Sequence, residues 1–219
     1  MNLLEASTDT VAKRVATGLN KIGLAIRSRA WKEGRAGRLA PLQAQTLTVL
    51  HTRQTQNATA TSVAEELGVA LPTVSEVLRV LERRGLITKR KSKTDARTMV
   101  LSLTPKGRRR AEGVAGWTDF LAAAADELSD SEREALLRTL IKMIRILQEQ
   151  GMIPIARMCV TCRFFQPYCY DDPHAPHHCG YVNAPFGDRL LRIECAEHNQ
   201  AGKEERERNW QTFMAHILV

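Results

Sequence analysis

The chemistry-bearing residues of this chain crowd into one stretch. All five cysteines (Cys159, Cys162, Cys169, Cys179 and Cys195) fall within 37 positions, and residues 1–158 contain none. Four of the six histidines (His174, His177, His178 and His198) lie beside them. The pattern runs C-x2-C, then Cys179 after sixteen residues, then Cys195 after fifteen more, with His198 completing C-x2-H. A disulfide module needs an oxidising compartment. The start, Met1-Asn-Leu-Leu-Glu-Ala-Ser, lacks the basic-then-apolar order of an export leader, so a cytoplasmic location is expected. Clustered thiols in a reducing compartment point to a metal, a cluster or a redox site.

Two metal readings follow. In the favoured one, Cys159, Cys162, Cys179 and Cys195 hold an iron–sulfur cluster, 4Fe–4S or 2Fe–2S. The cysteines are spread rather than paired in two knuckles, and Phe164, Phe165, Tyr168, Tyr170, Tyr181 and Phe186 surround them in sequence. An apolar aromatic cage limits solvent and tunes a cluster. The alternative is Zn²⁺ between a Cys159/Cys162 knuckle and a Cys195/His198 knuckle. Cys169 is the spare thiol, and His177, His178 and His198 are alternative ligands or hydrogen-bond donors to the site. Without metal, these cysteines would be small buried hydrophobes or a thiol/disulfide pair. Over a few residues, Cys162-Arg-Phe-Phe-Gln resembles the C-x2-C-aromatic-aromatic opening of high-potential iron–sulfur modules.

The charge is equally localised. Residues 71–110 hold 12 Lys/Arg against 3 Asp/Glu, a net +9 that exceeds the +8 of the whole 219-residue chain. A focused basic patch calls for a polyanion, most often nucleic acid. The remaining composition, 43% hydrophobic and 26% charged, is that of a globular protein. No apolar run approaches the roughly 20 residues needed to span a bilayer. There is no Gly-rich phosphate loop, no H-E-x-x-H and no nucleophile elbow, so an enzyme is not expected.

Periodicity supplies the elements that carry these groups. Val11, Val15, Leu19, Ile22 and Ile26 recur at helical spacing over 8–33, with a break expected at Gly34-Arg-Ala-Gly37. Pro41 opens a second helix. Ser62 and Glu65 have capping-box spacing for a short third helix, stopped by Gly68. Pro72 opens a fourth, with Val74, Val77, Leu78 and Leu81 inward and Thr73, Ser75, Glu76 and Arg79 outward. Leu86-Ile-Thr88 and Thr98–Leu103 then read as a hairpin with a tip carrying Lys89, Arg90, Lys91, Lys93 and Arg97. Helical patterns cover 105–128, and Ser129 with Glu132 caps another over 130–150. Beyond Gly151 the chain reads as irregular until a charged helix near its end.

This order is that of a winged helix-turn-helix, helix-turn-helix at about 61–85 and wing at about 86–104. In such a fold, outward Thr73, Ser75 and Arg79 meet bases and phosphates, and the tip cations meet the backbone and an adjacent minor groove. The run Val74-Ser-Glu-Val-Leu-Arg-Val-Leu-Glu-Arg-Arg-Gly-Leu-Ile, followed by Asp95-Ala-Arg97 and Leu101-Ser-Leu-Thr-Pro-Lys-Gly107, resembles the MarR family of bacterial transcriptional regulators. The resemblance covers residues 8–150. It implies a mainly α fold with a small β wing, forming a homodimer through helices 8–33 and 105–150 on pseudo-palindromic double-stranded DNA. It also implies that Arg97 is the wing-tip arginine, that Asp95 orients it, and that Ser75 and Arg79 lie at base-contacting positions. Residues 151–219 are then a Cys/His-rich metal module added to that domain. The combined expectation is a regulator whose DNA affinity follows the state of an iron–sulfur cluster. The alternatives are the same regulator with structural zinc and a small-molecule effector, or a redox or metalloenzyme.

Overall fold

The structure, a computed structural model, describes residues 10–37, 39–53, 58–92, 95, 97–115, 118–154 and 156–216. Lys93, and Ile217 and Leu218 of the expected last helix, lie outside the described residues. The chain divides into two compact units: residues 1–60 with 72–122, and residues 61–71 with 123–219. The division at 122/123 precedes the long helix that the sequence reading joined to the first domain.

The first unit contains α1 (Val11–Gly37), α2 (Pro41–Thr52), α4 (Leu71–Arg83), the hairpin β1 (Ile87–Lys91) and β2 (Met99–Leu103), and α5 (Pro105–Ala115); α6 (Asp119–Asp126) begins in it. Helix α1 runs on through Gly34 to Gly37, past the expected break. A glycine inside a helix costs about 1 kcal/mol, which lowers stability without forcing a stop. The core draws Ala44, Leu47 and Leu50 from α2, Val74, Leu78 and Leu81 from α4, Leu86, Ile87 and Leu101 from the hairpin, and Ala111 and Val114 from α5. The hairpin pairs Ile87 with Leu103 and Lys91 with Met99. Leu101 N–H also donates to Ala58 O at 2.8 Å, fastening the wing base to the segment before α3.

The second unit contains α3 (Ala60–Leu67), α7 (Asp130–Glu149), the strands β3 (Phe165–Gln166), β4 (His177–Cys179) and β5 (Ala184–Phe186), and α8 (Lys203–Ala215). Helix α3 begins at Ala60, so Ser62 lies inside its first turn rather than capping it. Helix α7 has the expected box: Ser129 N–H donates to Glu132 Oε2 at 2.8 Å, and Glu132 N–H to Ser129 Oγ at 3.4 Å. The stretch read as irregular folds instead into an antiparallel sheet of order β3-β4-β5, with Phe165 opposite Cys179 and Cys179 opposite Ala184. Its core gathers Ile141 of α7, Met158, Val160, Phe165, Leu191 and Phe213 of α8. Gly68, at φ +63°, ends α3 in the left-handed region, and a Cβ there would stand 2.8 Å from Pro154 Cγ. The turn after α3 therefore rests directly on the strand of chain that leads from α7 into the cysteine segment. Among the described residues, no helix is long and apolar enough to cross a membrane.

Candidate metal centre and nucleic-acid interface

Three separate pieces of backbone bring four of the cysteines together. Cys159 opens a 3₁₀ turn, Cys159–Thr161, and Cys162 follows it, its N–H donating to Cys159 O at 2.8 Å. Cys179 ends β4. Cys195 is placed by its N–H donating to Arg157 O at 3.1 Å. All four line one cavity of about 260 Å³, with Phe164, Phe165, Tyr181 and Phe186 among its walls. All five cysteines are free thiols. Burial, only partly offset by an N–H from Arg192 and reinforced by the neighbouring thiols, pushes the Cys159 thiol up to about 11. Among the described residues, no three His, Cys, Asp or Glu side chains form a group placed to hold a single metal ion.

The alternative ligands are otherwise engaged. His177 is fully buried; its Nδ1 accepts from Tyr168 N–H at 3.2 Å, so its Nε2–H donates to Asp188 Oδ1 at 2.8 Å. The other Asp188 oxygen takes Arg138 Nη1 of α7 at 2.6 Å. Burial pushes the Asp188 carboxyl up, but these two donors more than offset it and hold it below the usual range. His198 Nε2 is 3.0 Å from Thr161 Oγ1, and burial lowers the pKa of its imidazole. His178 Nδ1 is 2.9 Å from Tyr170 Oη, and Cys169 is exposed. None of these four side chains lines the cavity. Tyr168 and Tyr170, expected in the aromatic cage, also lie outside its lining; Tyr168 stacks on His216 at 4.1 Å between ring centres.

The basic surface lies in the first unit. On α4, Thr73, Ser75, Glu76 and Arg79 are exposed while Val74, Leu78 and Leu81 are buried, so one helix face packs and the opposite one is open. Arg79 pairs with Glu76 one turn before it. On the hairpin, Arg90, Lys91 and Arg97 are exposed, whereas Lys89 is half-buried and paired with Glu82 of α4 at 2.8 Å.

Residues 39–99 match the MarR family. Two solved structures align with most of their own length. The S. aureus MepR–DNA complex is 26% identical and covers 61% of this chain and 97% of its own, with a TM-score of 0.53. A MepR mutant from a multidrug-resistant S. aureus clinical isolate is 27% identical and covers 61% and 96%, with a TM-score of 0.52. No curated protein matches the chain. Over these residues the chain is similar to MarR-type winged helices. The cysteines all lie outside the matched residues.

The D-x-R sequence and the L-T-x-x-G sequence just beyond the matched residues have visible physical reasons. Asp95 was expected to orient the Arg97 side chain. It instead accepts the Arg97 backbone N–H at 2.9 Å and the Thr98 hydroxyl at 2.6 Å, so it fixes the turn from which the arginine projects. Those two donors hold its carboxyl below the usual range. Thr104 Oγ1 donates to Gly85 O at 2.7 Å and accepts Gly107 N–H at 3.0 Å, tying the end of the wing to the start of α5. Two side chains at the cavity escaped the sequence reading, Arg192 and Glu197. Neither belongs to a ligand type in a ligand pattern, and only the folded loop brings them to the sulfurs.

Proposed function

We propose that the chain is a MarR-type transcriptional regulator that binds double-stranded DNA as a homodimer in the cytoplasm. We further propose that an iron–sulfur cluster held by Cys159, Cys162, Cys179 and Cys195 controls its affinity for DNA. The observation that carries the DNA reading is the open, cation-bearing face of α4 with Arg90, Lys91 and Arg97 exposed on the adjoining hairpin. The likeness to a protein solved on DNA supports it. The homodimer is supported by Val11, Val15, Leu19 and Ile22, an exposed apolar row on one face of α1 that water alone would leave unfavourably hydrated.

The cluster reading is supported by a wall that offers four sulfurs and mostly apolar carbon around about 260 Å³. When bound, such a group supplies a charge that changes with redox state and an occupancy that changes with iron supply. The chain's own contribution is a route outward. Pro154 lies against the turn at Gly68, and Cys159, five residues on in sequence, lines the cavity. Regulation requires that the two cofactor states favour conformations of different DNA affinity.

The test of the DNA reading is Arg97→Ala. Hydrogen bonds to charged groups contribute about 1.5–3 kcal/mol. Affinity for a duplex selected by the wild type from a random pool should fall about 10- to 100-fold, with the circular dichroism spectrum unchanged and a shallower salt dependence. Unaltered affinity overturns the wing assignment.

A pH prediction accompanies the cluster reading. The Cys159 thiol keeps its proton up to about 11, so binding iron must displace it. The apparent affinity of the apo-protein for Fe²⁺ should rise with pH between about 7 and 9, by up to about tenfold per unit for that proton. Anaerobic titrations at three pH values, with acid release followed alongside, measure it. A pH-independent affinity contradicts thiolate ligation.

A further inference from the structure

We infer that the Arg192–Glu197 pair at the cavity sets the charge, and through it the reduction potential, of the group that the four thiolates hold. The inference rests on the iron–sulfur reading above. Arg192 touches two of the four sulfurs. Its backbone N–H donates to Cys159 Sγ at 3.3 Å, and its guanidinium Nη1 donates to Cys195 Sγ at 3.7 Å. The same Nη1 is 3.7 Å from Glu197 Oε2, and that carboxylate oxygen is 3.6 Å from Cys195 Sγ. A cation, an anion and a sulfur thus form one small triangle.

These are the two charged side chains in the lining; its other members are sulfurs, aromatics and aliphatics. A unit charge a few ångströms away shifts the balance between two charge states, by less where solvent screens it. Donors to the sulfurs and local net charge are established determinants of cluster potential. One electron passing from an outside one-electron donor to the bound iron forms and breaks no bond and makes the site more negative by one charge. Arg192 favours that state and Glu197 opposes it. The guanidinium is 61% exposed, so its influence weakens as ionic strength rises. If the pair served only to close the 192–197 loop, removing either partner would loosen the loop without opposite electrical effects.

The experiment uses full-length protein, purified anaerobically, as wild type, Arg192→Gln, Arg192→Lys and Glu197→Gln. Iron and sulfide are measured in each, and each is titrated with dithionite while visible absorption is followed. Arg192→Gln should move the potential in the negative direction and Glu197→Gln in the positive direction, with Arg192→Lys staying nearest the wild type. Raising the salt should shrink the separation. Normal iron content with potentials that coincide, or that shift in one common direction, overturns the role of the pair alone. A colourless wild type without iron and sulfide overturns the underlying cluster reading. Should Arg192→Gln fail to take up iron, a positive shift of Glu197→Gln relative to both the wild type and Arg192→Lys supports the pair, and its absence overturns it.

Discussion

Cys179→Ser should emerge from anaerobic purification with its iron and sulfide reduced by more than about tenfold. Even residues behind the ligands typically change metal affinity by about 10- to 100-fold, and Cys179 is itself one of the four proposed ligands. Its position is fixed by pairing with both Phe165 and Ala184, so serine would occupy the same place on β4 with an oxygen that is a poorer partner for iron. Binding to the selected duplex should then no longer respond to iron or reductant. Cys169→Ser is the matched control: that thiol is exposed and lies outside the cavity lining, so colour and response should persist. A Cys179→Ser protein that keeps its iron excludes Cys179 from the site. One that loses iron while its DNA affinity is identical to the wild type's in every state makes the cofactor structural rather than regulatory.

Gly107→Ala should be among the most damaging single methyl additions in the first unit. A Cβ at this position would fall 1.8 Å from Leu86 O and 2.8 Å from Leu86 C. The obstacle is backbone, held in place by Thr104 N–H donating to the same Leu86 O at 3.0 Å, so no flexible side chain can yield. Overpacking costs about 1–3 kcal/mol and occasionally more; here the upper end is expected. The Gly113→Ala change in the same helix meets nothing within 4 Å. It should be neutral or stabilising by up to about 1 kcal/mol, because alanine is the better helix former. Urea unfolding followed by circular dichroism gives both values. Equal midpoints for the two variants would show that α5 does not sit this close to the wing.

The first unit was readable in the residues because its elements carry periodic signals. Val74, Leu78 and Leu81 mark a packed face by their spacing alone, and the β-like runs on either side of a charged tip announce the hairpin. Helix α7 declared its own start through Ser129 and Glu132. The cysteine segment withheld more. Strands of two and three residues are too short to show a period of two, and β4 is the unpromising string His177-His-Cys179, stabilised by distant partners such as Phe165 and Asp188. The four thiols were legible as a set through composition and spacing. The place of His198 and His177 outside the cavity lining was not, since it depends on Thr161, Tyr168 and Asp188 meeting their ring nitrogens. Glycine misled once, at Gly34, where its cost is real but smaller than the gain from continuing the helix.

The close approach of Gly68 to Pro154 means that cutting away the cysteine segment would also remove a neighbour of the turn after α3. Stopping the chain at residue 150 would strip the end of α3 of its neighbour and uncover a turn shaped to receive a proline ring. Gln148, whose amide donates to Pro154 O at 2.9 Å, would lose that acceptor as well.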